Sequence, residues 1–348
     1  MTHLTHTHMT AEIASIPDLT RRFLTNDRGI TEHIGALLRQ QNPHVVTTIA
    51  RGSSDHAASY IKYAIELLMG IPVSSTGPSI SSVYGGSMHL QNAATFAISQ
   101  SGESPDIIAM SDTAKQGGSL VVSLTNNSTS PLATLSDQNI NIGAGPELSV
   151  AATKTFVLSI VAGLTVIAHW KQDQELLTAI KDLPSNFEKA LNCDWSSLAD
   201  HIAFKNTQQQ SLYVLGRGPS SAIAQECALK FKETCQLHAE AFSSAEVLHG
   251  PVSIAQEGFT VLALAAKDAS NQSVIDASMQ IAKQGVDVFI TTPNQPTLNS
   301  IGSVQTQHPI TGPLVQVVSF YNFIEQLSRK LGLNPDQPPH LNKVTETV

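Results

Sequence analysis

The sequence predicts an α/β protein: two tandem copies of a doubly wound parallel sheet flanked by helices. Two observations predict it. Short apolar runs with little polar alternation, the mark of strands buried on both faces, alternate with helical stretches. Such alternation builds parallel sheets through right-handed crossovers. The runs also recur at one offset, 166 residues. Val45-Val46-Thr47-Thr48-Ile49-Ala50-Arg51-Gly52-Ser53-Ser54 aligns with Ser211-Leu212-Tyr213-Val214-Leu215-Gly216-Arg217-Gly218-Pro219-Ser220. Without a gap, Thr95 to Ser99 then aligns with Val261 to Ala265, and Leu120 to Leu124 with Val286 to Ile290. A period this long is a duplicated domain and not a solenoid.

Taken in order, residues 1–34 read as an N-terminal helical segment. The first copy, 35–177, holds the three runs just named, with helices from Asp55 to Met69, Pro105 to Gln116 and Thr155 to Trp170. A helical link from about Gln172 to Phe204, interrupted at Pro184, leads into the second copy, 198–333. That copy places a helix from Pro219 to His238 after its first strand. Residues 334–348 form an irregular tail, because Pro335, Pro338 and Pro339 forbid a regular helix.

Composition narrows the function. Of the 348 residues, 41% are hydrophobic and only 14% charged, against about 25% in ordinary domains, so much surface is buried, some of it between subunits. The net charge of −8 argues against a nucleic-acid partner. No apolar run reaches the roughly 18 residues that span a bilayer, so no membrane partner is expected. Met1 to His8 lacks an apolar signal core, and the three cysteines form no Cys-x-x-Cys pair. The expectation is a reduced, cytoplasmic protein. His3, His6 and His8 lack a supporting Asp, Glu or Cys set, so no metal is expected, and no cofactor is called for.

Ligands of open α/β sheets bind beyond the carboxyl ends of the strands, and there the copies diverge. The first has Ser99-Gln100-Ser101-Gly102-Glu103-Ser104-Pro105-Asp106, with Ser104 as a helix cap and Pro at the first helical position. Its hydroxyls and backbone N–H groups, beside a helix N-terminus, suit an anion. Ser53-Ser54 precedes the first helix of the same copy, and Ala151-Ala152-Thr153-Lys154 precedes a later one. The second copy reads Ala265-Ala266-Lys267-Asp268-Ala269-Ser270 instead. One oxyanion site, in the first copy, is the expectation. Gly216-Arg217-Gly218-Pro219-Ser220-Ser221 imitates a dinucleotide fingerprint, yet it has Ser for the third Gly, and Ala265-Ala266 stands where a ribose-binding acid belongs.

The second copy carries titratable groups. Glu226, Lys230 and Glu233 stand at i, i+4 and i+7, on one helix face. By residue type alone, a solvated ion-pair ladder is the commoner meaning of that spacing. His249 lies in a Gly-Pro turn, exposed on ordinary grounds but able to exchange protons near neutral pH. Cys227 and Cys235 read as packing residues.

Together these motifs resemble the sugar isomerase (SIS) family, in the tandem arrangement of the isomerase half of glucosamine-6-phosphate synthase, over nearly the whole chain. The markers are Gly52-Ser53-Ser54, Ser99 to Ser104, Val150-Ala151-Ala152-Thr153-Lys154, Ala228 to Glu233, His249-Gly250-Pro251 and Leu341-Asn342-Lys343. The resemblance implies a flavodoxin-like three-layer sandwich in each copy. It implies sugar-phosphate binding at Ser53, Ser54, Ser99, Gln100, Ser101, Ser104, Val150, Ala151 and Thr153. Glu233 would move the proton between C1 and C2, and Lys230 would stand beside the developing enolamine. His249 would open the ring, reaching over from a neighbouring subunit in a homodimer, and Lys343 would engage the open-chain ketose. Ala152 and Ala11 depart from the family's Ser and Lys. The synthase has a preceding glutaminase domain with an N-terminal Cys. Here residue 2 is Thr and nothing domain-sized precedes Met9. The expected reaction is therefore deamination of glucosamine 6-phosphate to fructose 6-phosphate and ammonia. The alternatives are a galactosamine-6-phosphate deaminase/isomerase, a fructosamine-6-phosphate deglycase, or a non-catalytic sugar-phosphate sensor.

Overall fold

The computed structural model describes residues 6–27, 29–205 and 211–343. Three helices open the chain: α1 (His8–Ala14), α2 (Ile16–Asn26) and α3 (Ile30–Gln41). The first sheet contains β1 (Val46–Ile49), β2 (Val73–Ser75), β3 (Ala94–Ile98), β4 (Leu120–Thr125) and β5 (Gln138–Asn141). All its pairings are parallel, in the order β2-β1-β3-β4-β5. Its helices are α4 (Gly52–Met69), α5 (Ser79–Ser82), α6 (Pro105–Gln116), α7 (Pro131–Leu135), α8 (Lys154–Lys171) and α9 (Gln174–Lys181).

Two helices, α10 (Leu183–Ala190) and α11 (Ser196–Lys205), lead to the second sheet. It holds β6 (Leu212–Gly216), β7 (Ala239–Ser243), β8 (Thr260–Ala263), β9 (Asp287–Ile290) and β10 (Asn299–Ser300), ordered β10-β9-β8-β6-β7 and again all parallel. The helices here are α12 (Pro219–Cys235), α13 (Asn271–Ala282) and α14 (Gly312–Lys330). Counted from its own first strand, the second sheet has the strand order of the first. The 166-residue offset carries Pro105–Gln116 onto Asn271–Ala282 residue for residue, and Val73 onto Ala239, a pair of edge strands too short to stand out in the sequence.

Each sheet has its own core. In the first, Ile107, Met110 and Ala114 of α6 pack on Ile49, Ala97 and Val121, all essentially inaccessible to water. The strand period of two turns Phe96 and Val122 to the opposite face, where α4 and α8 pack together. Helix α8 is buried almost all round, which accounts for the low charge content. In the second, Val274 and Ile281 of α13 meet Leu215, Val261 and Val288. Behind that sheet, Phe231 of α12 meets Phe320 of α14 edge-on at 5.4 Å. Cys227 and Cys235 lie in this interior, where burial pushes both thiols up, Cys235 to about 12, as befits packing residues.

The described residues form two compact units, 18–147 with 154–181, Asn342 and Lys343, and 6–17 with 148–153 and 182–341. The linking stretch does break at Pro184, as expected: α9 ends at Lys181, and Pro184 occupies the first turn of α10, where a missing N–H costs nothing. Two local expectations are corrected. Helix α4 begins at Gly52, three residues early, its end closed by Asp55 N donating to the Arg51 carbonyl at 3.3 Å; Gly52 turns the chain into the helix at φ +55°, as Gly218 does at φ +60° at the matching point of α12. Helix α12 stops at Cys235 and not His238, because Gln236 is left-handed. Among the described residues, no helix is long and apolar enough to cross a membrane. His3 lies outside the described residues.

Candidate functional site

In the strand order 2-1-3-4-5 the connections reverse direction between β1 and β3, and the crevice at their carboxyl ends is where ligands of doubly wound sheets bind. The structure brings the two serine loops of the first unit to that point. Gly52-Ser53-Ser54 follows β1 and opens α4; Ser99 to Ser104 follows β3 and opens α6. Both helix N-termini supply N–H groups and partial positive charge to the same end of the sheet. Ser99 Oγ accepts from Gly102 N at 3.1 Å, and Ser101 Oγ accepts from Glu103 N at 3.2 Å. Each hydroxyl keeps its own proton to donate. Ser104 holds the cap position but makes no side-chain cap bond, contrary to the capping expected of it. Gly102 is required on steric grounds: at φ +67°, a Cβ there would lie 2.2 Å from Ser130 Oγ.

The equivalent loop of the second unit is built differently. Asp268 Oδ1 accepts from Ser270 N at 2.8 Å and Ser270 Oγ at 2.6 Å, just ahead of α13. The chain's own carboxylate already supplies negative charge at that helix start.

The acid–base candidates are the main correction. Glu226, Lys230 and Glu233 share a face of α12, but it is not a solvated ladder: Glu226 and Lys230 side chains are 0% exposed. Lys230 Nζ lies 2.6 Å from Glu233 Oε2 and 3.1 Å from Glu226 Oε1, and Tyr321 of α14 donates to Glu226 Oε1 at 2.9 Å. Burial alone would lower the Lys230 pKa, but the carboxylates of Glu226 and Glu233 outweigh it and raise the ammonium above its ordinary range. Only Glu233 of the three reaches the surface, with its side chain 20% exposed. It lines an open cleft of about 390 Å³ with Lys232, Gln236, His238, Pro339 and His340.

The remaining candidates are placed as follows. His249 ends a 3₁₀ turn, Glu246–His249, and is exposed. Val150 belongs with the second unit, where its N–H donates to the Asp336 carbonyl at 3.1 Å; Ala151 and Thr153 are buried beside it in sequence. Gln100 is half-buried, and its carbonyl accepts from Asn126 N at 3.0 Å. Lys343 pairs with the buried Glu147 at 2.7 Å, and Glu147 also accepts from Thr155 Oγ1 at 2.8 Å. Sequence reasoning missed Glu147, a lone loop acid with no periodic signal, and Tyr321, whose hydroxyl is aimed by a helix almost a hundred residues away. Among the described residues there is no group of three His, Cys, Asp or Glu suited to hold a metal.

The chain thus holds two doubly wound α/β units, one with hydroxyl loops at the switch point of its sheet and one with a buried Lys–Glu pair. The comparisons with known proteins are specific on the family. The SIS domain model matches residues 37–168 and 207–301, and the chain belongs to the SIS domain family. It is 31% identical over 333 residues to the glutamine–fructose-6-phosphate aminotransferase (isomerizing) of Sulfolobus acidocaldarius, covering 93% of this chain and 53% of that protein. The chain thus spans about half the length of the curated relatives it matches. A solved structure from Silicibacter pomeroyi DSS-3, provisionally assigned as a phosphosugar isomerase, is 48% identical with a TM-score of 0.91, covering 95% of this chain and 100% of that one. The glucosamine-6-phosphate deaminase of Thermotoga maritima shares the fold alone, at 18% identity and a TM-score of 0.75 over 98% of each chain.

Proposed function

We propose that this chain is a phosphosugar enzyme that deaminates glucosamine 6-phosphate to fructose 6-phosphate and ammonia. The observation that carries the reading is the buried Glu226–Lys230–Glu233 row, which holds a permanent cation 2.6 Å from a carboxylate that still opens to a cleft. A sensor needs the phosphate loops but has no use for such a pair. The phosphate would dock on Ser54, Ser99, Ser101 and Ser104 at the helix N-termini, with Ser53 and Gln100 completing the loops. His249 is exposed at the end of its 3₁₀ turn, which suits a group offered to a second copy in a homodimer.

The chemistry follows from residue types. His249 assists opening of the pyranose, freeing the C1 aldehyde. Glu233 removes the C2 proton, and the electron pair moves through C1 onto O1, giving an enolamine once O1 is protonated. Lys230, too firmly protonated to act as a base or to form a Schiff base, stabilises the negative charge that develops. Returning the proton to C1 yields a C2 imine, which water hydrolyses to the ketose and ammonia. In this direction the reaction needs only water as second substrate. Lys343 would hold the open chain, after leaving Glu147.

The test is ammonia release from purified protein given glucosamine 6-phosphate, galactosamine 6-phosphate or unphosphorylated glucosamine. Release from the first alone is expected. Release only from the galacto sugar would keep the mechanism and move the substrate. Silence from all three, with binding intact, would leave the deglycase or the sensor. Ser101→Ala combined with Ser104→Ala is expected to weaken fructose 6-phosphate binding about tenfold or more. Unchanged affinity would place the anion elsewhere.

A further inference from the structure

We infer that Arg51 and Asp106 form a clamp that joins the two serine loops and sets the anion site between them, Arg51 being a positioning residue and not a ligand. The inference rests on the phosphate site proposed above. Arg51 is the N-cap residue of α4, immediately before Gly52-Ser53-Ser54, and Asp106 lies in the first turn of α6, immediately after Ser104-Pro105. They are 55 residues apart in sequence, and the neighbouring of β1 and β3 brings them together. Arg51 Nε and Nη2 both reach one carboxylate oxygen, Asp106 Oδ2, at 3.0 and 2.9 Å. The Asp106 side chain is 1% exposed, and its other oxygen accepts from Ile107 N at 2.8 Å.

Two consequences follow from this geometry. The bonds hold the start of α4 against the start of α6, so that hydroxyls from both loops face one ligand. They also neutralise a buried carboxylate at the place where a dianion would dock; left bare, Asp106 would repel it. The second copy serves as an internal comparison. Offset by 166, Arg51 corresponds to Arg217 and Asp106 to Gln272, so the ion pair is absent from the copy in which Pro219, Ala265 and Lys267 replace Ser53, Ser99 and Ser101. Arg217 is exposed, and its carbonyl accepts from Ser270 Oγ at 3.4 Å. The copy without the clamp keeps Ser220 and Ser270 at the positions of Ser54 and Ser104 but none of the other three serines.

The experiment is calorimetric titration of fructose 6-phosphate, with inorganic phosphate as competitor, into the wild-type chain and the variants R51Q, R51K, R51Q with D106N, and S101A with S104A. R51Q is expected to weaken binding about tenfold, with R51K intermediate because it restores charge without the two-point grip. The double change R51Q/D106N is expected to bind more tightly than R51Q, since it removes the exposed repulsion. In turnover, R51Q should raise KM far more than it lowers kcat. Wild-type affinity in R51Q while S101A/S104A binds weakly would overturn the clamp and leave the phosphate site standing. A double variant no tighter than R51Q would also overturn it, reducing Arg51 to a structural residue. If R51Q does not fold, R51K with wild-type affinity would decide against the two-point grip. Wild-type affinity in the serine variant as well would remove the phosphate site and the clamp with it.

Discussion

Glu233→Gln is expected to abolish ammonia release, by at least about 10²- to 10⁴-fold, while sugar-phosphate binding and melting temperature stay close to wild type. The amide oxygen can still accept from Lys230 Nζ, now 2.6 Å from Glu233 Oε2, so the packing of α12 is kept. Only the capacity to take a proton from carbon is lost. A steady-state assay paired with fructose 6-phosphate titration separates the two quantities. Turnover within a few-fold of wild type would remove Glu233 from the mechanism, and lost binding with intact folding would make it a ligand instead.

Lys230→Met carries the largest expected cost in stability, about 3–5 kcal/mol, because it strips the counter-charge from a carboxylate with no access to water. Glu226 keeps its bond from Tyr321, but one neutral donor at 2.9 Å does not replace an ammonium. The pH dependence has a definite sign. In the wild type, the Lys230 pKa is raised above the unfolded value, so its contribution is fully present below about pH 10.4 and is lost only above that, through the folded pKa. In the variant, burial raises the uncompensated Glu226 carboxyl above its unfolded value of about 4.3, so folded stability falls as pH rises past that value. The difference between variant and wild type should therefore widen from pH 5 to pH 8 in urea unfolding. Adding Glu226→Gln should recover most of the loss. A cost that is small and independent of pH would mean that the α12 row is hydrated in solution.

Those two expectations depend on burial, which the spacing of residues did not report. Glu226, Lys230 and Glu233 at i, i+4 and i+7 announce a shared helix face, and the identical spacing occurs on solvated ladders. Which of the two it is depends on α14, whose Tyr321 closes over Glu226 from ninety-five residues further along the chain. The strand plan was more legible. A doubly buried strand must be apolar throughout, so the runs at Val45, Thr95 and Leu120 and their partners at the 166-residue offset declared themselves. The β2 and β7 pair obeys the same offset, but Val73-Ser74-Ser75 is too short and too polar to read as a strand.

The serine loops were legible for a related reason. Helix starts with Ser, Gly and Pro have local signatures, and the divergence between copies marked one loop as special. What those loops share was hidden. Arg51 and Asp106 meet only because β1 and β3 are neighbours, and Lys343 finds Glu147 only through the return of the tail. By itself, the sequence determined the local and periodic features: duplication, strand and helix order, and the residue types at each loop and helix face. The tertiary structure alone decided which of those residues lose water and which charges face each other. Desolvation and long-range ion pairing depend on distances in space between segments far apart in the chain, and no local pattern encodes them.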